Sequence, residues 1–67
     1  MYYEIRVNGV LDSGWSAWFA GLRVTSDGHG QTTISGPVAD QAALHGLLAK
    51  IRDLGLELLE VRHTDPD

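Results

Sequence analysis

Residues 36–62 read GPVADQAALHGLLAKIRDLGLELLEVR, and this stretch decides the fold because it holds the longest periodic signal in the chain and the exit from it. Leu44, Leu47, Leu48, Ile51 and Leu54 recur at the three- and four-residue spacing of one helical stripe. The spacing predicts a helix over residues 38–54, with Asp40 in the first turn, where a carboxylate meets the positive end of the helix dipole. Gly55 stands where a left-handed C′ residue belongs, with Leu56 able to pack back on Ile51 as in a Schellman motif. Residues 56–64 then read as a strand whose register stays open, because adjacent Leu58 and Leu59 face opposite sides and both faces are candidates for cover.

Working outward, Tyr3, Ile5 and Val7 alternate with Glu4, Arg6 and Asn8, the period of a strand with one buried face. This strand is expected over residues 2–11, with a bend at Gly9 that turns Val10 and Leu11 toward the core. DSGWSAWFAG (12–21) opens with two capping residues, places Trp15, Trp18 and Phe19 at i, i+3 and i+4, and ends in glycine, which predicts a helix of about two turns. Leu22 and Val24, the turn residues Asp27, Gly28, His29 and Gly30, then Thr32 and Ile34 make a β-hairpin. Strand, short helix, strand, strand, long helix, strand is the α+β order of a ferredoxin-like βαββαβ domain, an open four-stranded antiparallel sheet with helices on one face. If the Trp segment is instead a loop, a three- or four-stranded sheet with a single helix results. The domain is expected over residues 1–64, with 65–67 a frayed tail.

Sixty-seven residues make one domain. A chain of this size buries only about 60% of the surface its unfolded form exposes. Without a cysteine there is no disulfide, and three scattered histidines do not make a structural zinc site. Oligomerisation is the remaining common remedy, so a homodimer is expected. The net charge of −4 has no run of one sign, and the five Lys and Arg are too dispersed for a phosphate-neutralising surface, so nucleic acid is not an expected partner. MYYEIRV carries no cationic or apolar leader and no stretch is long enough to span a bilayer, so a cytoplasmic location without membrane association is expected. No cofactor is implied by any motif.

SGPVADQAALHGLLAKIRDLGLELLEV (35–61), with the upstream YEIRV (3–7) and WSAWFAGL (15–22), resembles a family of very short, largely uncharacterised bacterial proteins. The resemblance spans nearly the whole chain and implies a compact domain. It implies no catalytic residue, cofactor or substrate. Glu57 stands where many relatives are expected to carry proline, which bears only on how the last strand begins.

On a helical wheel the long helix has three sectors: the Leu/Ile stripe, a flank of Gln41, His45 and Arg52, and an outer face of Ala42, Gly46 and Ala49 running on to Asp53. A solvated helix back normally carries Lys and Glu, and small residues there let another backbone come close, so Ala42, Gly46 and Ala49 are interface candidates. Alanine is also simply a good helix former, but a mid-helix glycine costs about 1 kcal/mol against alanine and wants a reason. Gln41, His45 and Arg52 can converge on a polar or anionic ligand, or form a solvated flank. Trp15 and Trp18 can line an apolar pocket, or serve as core material. No nucleophile, carboxylate pair or phosphate loop is recognisable, the last because the spacing of DGHGQ (27–31) matches neither phosphate motif.

The leading expectation is a non-enzymatic binding or protein-interaction module, homodimeric and regulatory, taking a protein partner or a small apolar ligand. The alternative is a small dimeric α+β enzyme or ligand-binding protein using an apolar pocket under the Trp15/Trp18 helix. Leu47→Ala or Leu48→Ala is expected to cost about 2–5 kcal/mol in urea unfolding, while loss of Asp67 leaves the midpoint unchanged.

Overall fold

The alternation of Tyr3, Ile5 and Val7 forms strand β1 (Tyr2–Asn8) in the computed structural model, which describes residues 1–64. The expected frayed tail at 65–67 lies outside the described residues. After β1 come a 3-10 turn (Ser13–Ala17), β2 (Arg23–Ser26), β3 (Gln31–Pro37), helix α1 (Gln41–Asp53) and β4 (Glu57–His63). The strands make one antiparallel sheet in the order β2-β3-β1-β4. The domain is thus α+β with one helix on an open four-stranded sheet.

The expected βαββαβ order is not matched, because the Trp segment is no α-helix and three strands precede the only one among the described residues. Asp12 caps the turn by accepting from the Gly14 N–H, and Ser16 Oγ donates to the Leu22 carbonyl 2.6 Å away, pulling the backbone out of helical register. Ala20 and Gly21 then both take positive φ, 58° and 80°, and the turn stops. So short a segment cannot repay helix nucleation by itself. Phe19 is fully buried, whereas Trp18 remains 46% exposed, so the three rings do not share one buried face.

β3 is antiparallel to both β1 and β2, so the link from Gly9 to Leu22 must cross it to return the chain in the direction of β1. The hydroxyl of Thr32, the one fully buried polar side chain among the described residues, holds the start of that crossing. Its Oγ1 donates to the Gly9 carbonyl at 2.7 Å and accepts from the Leu11 N–H at 3.0 Å. Leu11 is therefore drawn into the core, while Val10, expected there as well, points to solvent. At the far end of the crossing Leu22 lies against Gly36, where a Cβ would overlap its side chain.

α1 starts and stops as its sequence dictates. Asp40 is the N-cap, accepting from the Ala43 N–H at 2.8 Å. Gly55 (φ 75°) donates to the Arg52 carbonyl and Leu56 to the Ile51 carbonyl, the paired bonds of a Schellman motif. Leu44, Leu47 and Ile51 are buried against Tyr3, Ile5, Val7, Val24, Ile34 and Phe19, whereas Leu48 is only partly covered. The open register of β4 is resolved by a bulge. Arg6 faces Glu60 but Val7 faces Leu58, which leaves Leu59 as the extra residue.

Thr32→Val keeps the shape of the core but strands the Gly9 carbonyl and the Leu11 N–H. The expected cost is about 1–3 kcal/mol in chemical denaturation, against a near-neutral result for Thr33→Val on the opposite face.

Candidate functional site

A half-open groove of about 390 Å³ runs along one side of α1. Its walls come from three separate segments: Ala20 and Leu22 from the end of the crossing, Pro37 to Ala39 from the β3–α1 link, and Ala43, Gly46, Leu47 and Lys50 from α1. Its volume falls in the range of small-molecule sites, and Lys50 brings the only charge to an otherwise apolar lining. Lys50 Nζ donates to the Trp18 carbonyl at 2.8 Å and sits 5.4 Å from the centre of the Trp18 ring, tying α1 to the Trp turn beside the groove. An ammonium carries three donors, so Lys50 can hold this bond and still meet an acidic group.

Gly46 carries the most information about this groove. Its φ is ordinary, and a Cβ added there would have nothing within 4 Å. No turn, strain or internal close approach therefore accounts for glycine at this position, although alanine would favour the helix by about 1 kcal/mol. Ala42 and Ala49, the other two small residues of that sector, do not line the groove.

The remaining candidates divide between other surfaces. Trp15 is partly buried and packs on the core. Gln41 Nε2 donates to the hydroxyl of Tyr3 at 3.2 Å, and the Tyr3 ring stacks on His63 with centroids 4.8 Å apart. His45 and Arg52 are exposed on that same flank of α1, and Arg52 lies 3.4 Å from Asp53. Gln41, His45 and Arg52 thus look toward the β4 side of the sheet, away from the groove, whose lining includes none of them. Ala20, Leu22 and Pro37 to Ala39 were not candidates from the sequence, because they share no periodicity and meet only through the crossing.

The comparisons with known proteins bear on this arrangement. The family model described as a domain of unknown function, DUF8691, matches residues 2–62. The chain belongs to the DUF8691 family. No curated protein and no solved structure matches it. The DUF8691 match takes in every groove residue and β4 as far as Arg62. Among the described residues no helix is long and apolar enough to cross a membrane, and no group of three or more His, Cys, Asp or Glu could hold a metal ion.

The Asp27 carboxylate accepts from the His29 N–H at 2.6 Å and the Gln31 N–H at 3.2 Å, closing the β2–β3 hairpin. These bonds, that from His29 foremost, hold its carboxyl below the ordinary value of 3.8. Because the charged form is the one favoured in the fold, the hairpin keeps this contribution at neutral pH and loses it as pH falls through the lowered value. In an NMR titration the His29 and Gln31 amide shifts are expected to move together with a midpoint below 3.8, and Asp27→Asn abolishes that transition.

Proposed function

We propose that this DUF8691 chain is a small non-enzymatic binding module, homodimeric and ferredoxin-like in strand plan, whose ligand lies in the groove beside α1. The observation that carries this reading is Gly46, a costly mid-helix glycine with open space before it on the wall of an apolar groove. A side chain missing for no internal reason leaves room for something external. The lining suggests the ligand: an apolar body against Leu22, Val38, Ala43 and Leu47, with an anionic group within reach of Lys50. His45 and Arg52 do not line this groove, so the enzymatic alternative draws no support from them.

The anilinonaphthalene sulfonate dye combines an apolar body with one negative charge and serves as the probe. Wild type is expected to enhance its fluorescence saturably. Gly46→Leu, which fills the groove and strengthens the helix, abolishes the enhancement, and Lys50→Gln weakens it. Enhancement undiminished in a folded Gly46→Leu variant, checked by circular dichroism, would overturn the groove as the site.

A further inference from the structure

The two edges of the sheet are unequal. β2 is four residues long and polar on its exposed positions, a blunted edge. β4 has seven residues, no proline, and three exposed apolar side chains, Leu58 at 46%, Leu59 at 42% and Val61 at 38%. Long apolar edges of this kind are templates for further strand pairing unless they are covered.

The ladder fixes which groups this edge offers. The Thr64 N–H donates to the Tyr2 carbonyl, and in an antiparallel ladder the mutually bonded pairs alternate, so Glu4–Arg62 and Arg6–Glu60 are bonded pairs as well. Val61 lies between them opposite Ile5, and its own N–H and C=O point away from β1 toward the outer edge. Its side chain and that of Leu58 lie on the α1 face of the sheet, whereas Glu60 and Arg62 lie on the open face, where Glu60 is 3.4 Å from both Arg6 and Arg62.

We propose that β4 is the self-association edge: two copies of the chain pair antiparallel through β4 about a two-fold axis at Val61, joining their sheets into one. Charge complementarity selects both the occupant and the axis. With Val61 opposite its own copy, Glu60 of each chain faces Arg62 of the other, twice by symmetry, so the strand is complementary to itself. The two Val61 residues exchange both backbone bonds, and the apolar strip of Val61 and Leu58 is shared across the axis beneath the Gln41, His45 and Arg52 flanks. The bulge at Leu59 limits pairing to the part of β4 beyond it, which holds Glu60, Val61 and Arg62. The inference rests on the homodimer reading above and names its surface, which differs from the outer helix face of Ala42, Gly46 and Ala49.

Because the chain has no cysteine, a single introduced one reports the axis. Bonded antiparallel pairs have Cα atoms about 5.5 Å apart, within disulfide range. Val61→Cys is expected to form an interchain disulfide under mild oxidation, whereas Ala42→Cys stays monomeric on non-reducing gels. In sedimentation equilibrium Val61→Lys is expected to run as a monomer at concentrations where wild type is a dimer. A wild-type dimer that persists in Val61→Lys, or interchain cross-linking of the Ala42→Cys variant but not of Val61→Cys, overturns the β4 edge but leaves the homodimer standing. A monomeric wild type overturns both, and dye binding in the groove remains a separate result. If Val61→Lys does not fold, the two cysteine variants alone decide.

Discussion

The return of the chain from β1 to β2 is the constraint on which the rest of this structure depends. These strands are parallel neighbours-but-one, and the chain must cross β3 between them in fourteen residues, 9–22. A packed helix is the usual means of such a crossing. Here the buried hydroxyl of Thr32 fixes the departure, one tight turn inserts Phe19 as the roof, and Leu22 settles onto Gly36 at the arrival. A single 3-10 turn occupies less of the sheet face than a helix would. The groove beside α1 is the room left over, and its walls are the arriving end of the crossing on one side and the helix on the other.

Much of this was legible in the sequence, for identifiable reasons. α1 could be read because its stripe repeats over several turns and both ends carry specific chemistry, Asp40 as N-cap and Gly55 with Leu56 as a Schellman stop. The hairpin and β1 could be read because alternation is unambiguous when one face is wet. The Trp segment misled because i, i+3, i+4 spacing is shared by a short helix and a tight turn. What separates the two is a set of local competitors, Ser16 bonding the Leu22 carbonyl and Ala20 in the left-handed region, whose effect depends on the arriving chain. Likewise the alternation of Leu58 and Leu59 could not reveal its register, since a bulge absorbs one residue and changes the phase.

The groove was not legible in the sequence, where Gly46 stood out only as an interface candidate beside Ala42 and Ala49 and the expected pocket lay under Trp15 and Trp18, which do not line it. Its other walls are brought together by topology, and nothing in the identities of Ala20, Pro37 or Ala39 marks them as neighbours. The two flanks of α1 also differ in kind. One ends in an apolar hollow with a single ammonium. The other carries Gln41, His45 and Arg52 above an edge strand whose apolar side chains, Leu58 and Val61 among them, stay exposed. A helix centred over the sheet would have covered both sides equally, and the uneven cover gives this small domain two distinct surfaces.

The pairing of β1 with β4 has a kinetic side. It joins Tyr3 to His63, so one border of the central strand is completed by nearly the full length of the chain. α1 and the β2–β3 hairpin are local and can form quickly, but neither has a sheet to rest on until β1 has found β3, and β4 is added across the longest loop of all. Closing that loop carries the largest chain-entropy cost of any pairing in the sheet, which weights the topology of so small a molecule toward slow folding.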